Sequence, residues 1–254
     1  MQITQVRHSG YDLNVRVRTP WLDMNVATEV IANDNYRLHE LKDIGIEPKV
    51  ILDIGGHIGT FGLICKSLWP DARLIAVEPD SDNANLYKLN IEQNHPHTDF
   101  VILNQAISYS PERICLVHSP STTGGNVLCP KEEAEKYVNE GYRFYNSITN
   151  DHVSLTTIGE ICRTYDIDVI DLAKWDCEGS EVDAFLNMSD KEAEKFRFMV
   201  GEYHLWSENT KYLKADLFTT IKFWRRVKRK FPHLNFDYRE NRLGLFQAWP
   251  KENK

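Results

Sequence analysis

Val50-Ile51-Leu52-Asp53-Ile54-Gly55-Gly56-His57-Ile58-Gly59 is the stretch on which the reading of this chain turns. Its first half is bulky and apolar, with no alternation of polar and apolar positions, as in a parallel strand covered on both faces. Its second half carries Gly55, Gly56 and Gly59, positions without a side chain to hold a ligand away from the backbone. Residues 60–68 follow with Phe61, Ile64 and Leu68 at helical spacing. Strand, glycine turn and helix together make a cradle of the kind that holds nucleotides.

Outward from that stretch, the pattern repeats. Residues 73–79 and 100–103 read as two more buried strands, and 81–93 reads as the helix between them, with Asp80 or Ser81 as its cap. This alternation predicts a doubly wound α/β sheet. Residues 109–155 break the rhythm and read as an inserted loop or hairpin region, with strands expected near 113–118 and 152–155 and a charged segment at 131–142. The rhythm then resumes: helix 157–165, strand 172–176, helix from 181, strand 198–204, helix 214–231, and a closing hairpin over 236–249. Ahead of the organising strand, 4–19 reads as a hairpin turned at Ser9-Gly10. Residues 25–44 read as a helical lead-in broken at Asn33-Asp34-Asn35. The expected organisation is an N-terminal lid over 1–48 and a main domain over 49–254, with the insertion at about 109–155.

The 254 residues are 42% hydrophobic and 26% charged, an ordinary globular balance that can support a sizeable core. A net charge of -7 argues against nucleic-acid binding over the whole surface. No apolar run reaches the roughly 20 residues of a membrane span, and residues 1–10 lack the apolar core of a signal peptide. Five cysteines, an odd number without a C-x-x-C pair, point to reduced thiols and a cytoplasmic location.

The glycines stand as G-G-x-x-G, which is not the G-x-G-x-x-G of a dinucleotide site. What the turn supplies is D-x-G-x-x-x-G: Asp53, Gly55 and Gly59. A carboxylate at the strand tip would repel a pyrophosphate, but favours the sulfonium and ammonium of S-adenosylmethionine. Glu78, at the end of the next strand, is placed to take the two ribose hydroxyls of an adenosine. After the third strand, Asn104, Gln105 and Ala106 offer amide groups beside a small residue for an adenine.

Asp53-Ile54-Gly55-Gly56-His57-Ile58-Gly59, Val77-Glu78-Pro79, Asn104-Gln105-Ala106-Ile107-Ser108 and Lys174-Trp175-Asp176-Cys177-Glu178-Gly179-Ser180-Glu181 stand in the order found in FkbM-type methyltransferases. Glu202-Tyr203-His204 is similar to that family's acid-x-His strand end, and the resemblance covers roughly residues 25–205. It implies a class I methyltransferase (Rossmann-like) fold: a seven-stranded, mostly parallel sheet with one antiparallel strand. It also implies methyl transfer from S-adenosylmethionine, most often to a hydroxyl oxygen. Two positions depart from the family pattern: Gly56-His57 stands in place of a small residue and Asn, and Trp175 replaces an aliphatic residue.

Asp176 and Glu178 are two apart, as are Glu202 and His204, so each pair projects to one side while its strand lasts. On neighbouring strands of a class I sheet, both pairs reach the carboxyl edge where such sheets bind ligands. Methyl transfer needs a positioned acceptor and removal of its proton. His204 is the base by residue type, its unperturbed pKa lying at about 6.5. Asp176 and Glu202 would orient it or bind the acceptor hydroxyl, Asp176 also belonging to the cofactor set with Asp53, Gly55, His57, Gly59, Glu78, Asn104, Gln105 and Ala106. Glu178 reads as a helix cap, Glu181 as an offset to the helix dipole, and Tyr36 as either a cover for the cofactor or a core residue. Asp176, Glu202 and His204 also make a sensible donor set for a divalent metal, but no ligand spacing requires one and none is expected. The basic run from Lys222 to Lys230 reads as the solvated face of an amphipathic helix. The expected reaction is O-methylation of a small-molecule hydroxyl, on a sugar, polyketide or other secondary metabolite. N-methylation, a macromolecular acceptor, a cofactor-binding module without chemistry and a nicotinamide oxidoreductase are the competing readings.

Overall fold

A computed structural model describes residues 1–8, 10–18, 21–111, 115–118, 123–132, 134, 147–148, 153–204, 217–239 and 243–249. Its centre is a sheet of β3 (Val50–Ile54), β4 (Arg73–Val77), β5 (Phe100–Leu103), β11 (Ile170–Trp175), β12 (Phe196–His204), β13 (His233–Arg239) and β14 (Leu243–Trp249). The order across the sheet is β13-β14-β12-β11-β3-β4-β5, and every neighbouring pair from β12 to β5 is parallel. β14 runs antiparallel to both of its neighbours and is the one reversed strand. The expected seven-stranded, mostly parallel sheet is the one found.

The apolar runs are continuous because the sheet is covered on both sides. Leu52, Ile54, Ile75, Val77, Ala173 and Trp175 feed one core, and Ile51, Leu74, Ala76, Leu172 and Val200 feed another. α5 (Ile158–Thr164), α6 (Ser180–Asn187) and α8 (Leu217–Lys230) close the first. α3 (Thr60–Leu68) and α4 (Ser81–Asn94) close the second.

The N-terminal region both lines the cavity and packs on the main core. β1 (Gln2–His8) and β2 (Tyr11–Val17) form the expected hairpin, whose Ser9 lies outside the described residues. α1 (Leu22–Ala27), a π-helical turn (Thr28–Ala32) and α2 (Leu38–Asp43) follow, interrupted where Asn33-Asp34-Asn35 predicted. Val15, Val17, Ile31 and Leu38 are buried in the same core as α3 and α4. The side chain of Asn90 accepts from Arg16 N–H at 2.7 Å, tying α4 to β2.

The inserted region adds small sheets at the cavity mouth. β6 (Ala106–Ile107) pairs in parallel with β10 (Leu155–Thr156), and β7 (Cys115–His118) pairs with β8 (Val127–Cys129) and β9 (Ser147–Ile148). The strands near 115 and 155 were expected, whereas β8 and β9 were not. Most of the expected charged segment at 131–142 lies outside the described residues. α7 (Asp190–Ala193) opens on a reciprocal cap, with the Glu192 amide donating to the Ser189 hydroxyl at 3.2 Å. Among the described residues no helix is long and apolar enough to cross a membrane.

Candidate active site

The glycine turn closes by backbone hydrogen bonds: Gly55 N–H and Gly56 N–H both donate to Val77 O, at 3.0 and 3.1 Å. Gly55 has a φ of +76°. A Cβ there would sit 1.8 Å from Asp176 O, because the chain leaving β11 presses against the turn. Gly56 and Gly59 face the ring of Tyr87, where a Cβ would come within 2.7 and 2.8 Å. Bare backbone is required here by the protein's own packing. Gly59 does not line the cavity, whereas Gly55, Gly56 and His57 do.

Asp53 departs from expectation. Its side chain is buried behind the cavity wall, where Oδ2 accepts from Tyr87 Oη at 2.9 Å and Oδ1 lies 3.4 Å from Lys174 Nζ. The cation it faces is therefore Lys174, which also donates to Gly55 O at 2.6 Å and stands 3.5 Å from Asp176 Oδ2. Burial pushes the Lys174 amine down, but Asp53 and Asp176 outweigh it and hold the amine above its ordinary value. Burial raises the Asp53 carboxyl, with Lys174 and Tyr87 opposing. The signal for Lys174 was present in the sequence: a lysine inside the apolar strand Ile170–Trp175 must be paired if that strand is buried.

Glu78 stands at the opposite end of the cavity, its carboxylate bound from three directions. Oε2 accepts from His57 N–H at 2.8 Å, and Oε1 accepts from Asp80 N–H at 2.9 Å and Asn83 Nδ2 at 3.3 Å. The left-handed backbone of His57, at φ +47°, turns that N–H toward Glu78. The His57 ring reaches Thr123 Oγ1 through Nε2 at 2.9 Å and lies 3.5 Å from the buried Asp23 carboxylate. Among the described residues, its buried Nδ1 has no hydrogen-bond partner. His57 thus joins the glycine turn to α1 and the insertion. Gln105 and Ala106 line the cavity. Asn104 does not; its Nδ2 instead donates to Glu78 O at 3.0 Å and Pro79 O at 2.9 Å, fixing the loop.

The acidic end gathers Asp176, Glu178 and Glu202 on the cavity wall, with His204 behind them. β11 ends at Trp175, so Asp176 and Glu178 leave the strand alternation expected of them. Glu178 takes a left-handed backbone at φ +52°, and Gly179, not Glu178, is the residue that caps α6. Tyr36 enters from the N-terminal region and donates its hydroxyl to Asp176 Oδ2 at 2.8 Å. Glu181 does more than offset a dipole. It is completely buried, its Oε1 accepts from His204 N–H at 2.8 Å, and the same oxygen faces His204 Nδ1 at 2.9 Å.

These contacts set the electrostatics of His204. Burial pushes its imidazole down, but the carboxylates of Glu178, Glu181 and Asp176 outweigh that and hold it well above its ordinary value. Burial with the nearby charges of Asp176 and Glu181 lifts Glu178 to about 7, against the opposing pull of His204. Burial raises the Asp176 carboxyl too, but Lys174, His204 and Tyr36 bring it below its usual range.

A protein-family model described as the Methyltransferase FkbM domain matches residues 53–238, from the first acid of the organising turn into β13. The chain belongs to this family. The matched FkbM domain starts after the N-terminal region and runs beyond the expected end near residue 205. A methyltransferase of Sordaria araneosa, sdnD, is 27% identical over 169 residues, or 60% of this chain and 65% of that protein. The aligned part is thus slightly under two thirds of the relative's length. Solved structures with similarity include precorrin-6y C5,15-methyltransferase from Geobacter metallireducens, at 10% identity and a TM-score of 0.43, covering 84% of this chain and 85% of that one. Another is M. capricolum TrmK in complex with S-adenosyl-homocysteine, at 10% identity and a TM-score of 0.45, covering 85% of this chain and 69% of that one. The strand order and the single reversed strand β14 make the FkbM domain here a class I methyltransferase fold, whose cofactor is S-adenosylmethionine.

Proposed function

We propose that this chain transfers a methyl group from S-adenosylmethionine to a hydroxyl oxygen of a small molecule, such as a sugar, polyketide or other secondary metabolite. The observation that carries the reading is a cavity at the carboxyl edge of the sheet that is lined by Glu78 as well as by Asp176 and Glu202. Such an edge is where open α/β sheets bind ligands. The donor set fits the cofactor. Glu78 would take the ribose hydroxyls, Gln105 and Ala106 would border the adenine, and His57 lines the same cavity. Asp53 would act indirectly, by holding Lys174 against Gly55 O and beside Asp176.

Bound S-adenosylmethionine supplies an electrophilic methyl on a sulfonium. The chain's task is then to orient an acceptor and keep competing water away. Asp176 and Glu202 are partly exposed to the cavity and are placed to accept a hydrogen bond from an acceptor hydroxyl. His204 stands behind them, its Nε2 3.7 Å from Glu202 Oε2.

Two measurements test this reading. Calorimetry should show adenosylhomocysteine binding and no NAD binding. A screen with labelled methyl donor should then place label on hydroxylated small molecules and not on amines. Absence of adenosylhomocysteine binding would refute the cofactor assignment, and label confined to amines would refute O-methylation.

A further inference from the structure

The acidic end contains a donor arrangement that methyl transfer by itself does not require. We propose that Asp176, Glu202 and His204 bind one divalent cation, which presents an open coordination position to the cavity. Its binding stands on the side chains alone, while its role in the reaction rests on the methyl-transfer reading.

One ligand atom from each of the three residues lies within 4.8 Å of the other two. Two ligands about 2.1 Å from one ion stand about 3 Å apart when adjacent and about 4.2 Å apart when opposite. Small side-chain rotations therefore close the site. His204 is already oriented for it. Glu181 holds the Nδ1 side of the ring at 2.9 Å, which directs Nε2 toward the carboxylates of Glu178 and Glu202, each 3.7 Å away. The imidazole is 8% exposed, and among the described residues Nε2 makes no hydrogen bond. A buried imidazole pinned at one nitrogen by a carboxylate, with the other directed at more carboxylates, is how proteins orient a metal-binding histidine. On Asp176, Oδ2 is engaged by Tyr36 and Lys174, and the other oxygen makes no hydrogen bond among the described residues.

A second trio, His8, Asp34 and His39, is equally close-set. There the Asp34 carboxylate accepts from Leu38 N–H and His39 N–H and faces His39 Nδ1, while His8 Nδ1 faces Ala32 O. Those groups serve the turn into α2. The trio is therefore a control for the proposed site.

Two carboxylates and one imidazole suit Mn2+ or Zn2+. Three protein ligands leave positions open for an acceptor oxygen, whose proton an ion makes easier to lose. On that position the O–H bonding pair stays with oxygen and the proton passes to solvent, with no oxidation or reduction. The acceptor would then be activated without His204 serving as a base.

The test is titration of the chelator-treated full chain with MnCl2, read by electron paramagnetic resonance and calorimetry, with neither cofactor nor acceptor present. One Mn2+ per chain is expected. D176N, E202Q and H204N should each weaken it more than about tenfold, and E181Q by about tenfold to a hundredfold. H39N should leave it unchanged. Should H204N fail to fold, E202Q, at a partly exposed side chain, carries the same comparison. No binding of Mn2+ or Zn2+ at millimolar concentration would overturn the proposal. So would binding that survives D176N/E202Q or is lost with H39N. Adenosylhomocysteine binding on the same samples separates the two readings. A chain that binds Mn2+ but not adenosylhomocysteine keeps the metal site and loses the cofactor assignment, and the reverse result loses only the metal.

Discussion

The two ends of the cavity are built on different principles. At the glycine-turn end, the charged group is satisfied by the fold itself: Glu78 accepts from two backbone amides and the Asn83 side chain, and the turn is closed onto Val77 O. At the acidic end, Asp176, Glu178, Glu181 and Glu202 crowd around Lys174 and His204, and several of these groups titrate away from their ordinary values. Backbone donors satisfy the charge at the first end. Charge balance makes the second responsive to whatever enters it, since a buried unbalanced charge is costly. Perturbed groups of this kind collect where chemistry is done.

The comparison is broken most severely at Lys174. Lys174→Met leaves Asp53 and Asp176 without their shared cation and should cost about 3–5 kcal/mol in urea unfolding. A loss below about 1 kcal/mol would mean that the pair is not stabilised by that charge. Gly55→Ala comes next. It places a Cβ against Asp176 O and forces alanine into the left-handed region, at a combined expected cost of about 2–4 kcal/mol. Wild-type stability in this variant would show that the turn and the chain after β11 do not press together.

Glu78→Ala should be smaller in stability and larger in binding. Three donors lose their acceptor, and adenosylhomocysteine affinity measured by calorimetry should fall about tenfold to a hundredfold. Unchanged affinity would remove Glu78 from the cofactor set.

The smallest effect is at Asp80, which caps α4 and also faces His118 and Asn126 of the insertion. Burial raises its carboxyl, but His118, Asn83 and Asp82 bring it below its usual range. A depressed acid contributes stability that is complete above its unfolded value of about 3.9 and is lost as pH falls through the folded value. Thermal unfolding of Asp80→Asn should therefore depend less steeply on pH between about 5 and 2.5 than wild type. Identical slopes would mean that this contact contributes nothing.

The alternation of apolar runs with amphipathic helices made the central sheet legible, because a strand buried on both faces must be apolar throughout and its connections must be helical. The same physics exposed the limits of the reading. Asp53 sits at the strand tip as expected, but which way its carboxylate turns depends on Lys174 and Tyr87, far away in the chain. Asn104 was read as an adenine contact, yet the loop needs its amide for two carbonyls. Tyr36, Asp23 and Thr123 join the site's surroundings from segments whose sequence is mute about distance.

By itself, the sequence determined the sheet, the glycine turn, the carboxyl-edge position of Glu78, Asp176, Glu202 and His204, and the resemblance to the FkbM family. Those features follow from local pattern and from spacing along single strands. Only the tertiary structure decided that His204 is pinned by Glu181, that Lys174 lies between Asp53 and Asp176, and that Glu178 faces the cavity instead of capping a helix. Charge and protonation in a buried cluster depend on distances between strands, and no order of residues along one chain states those distances.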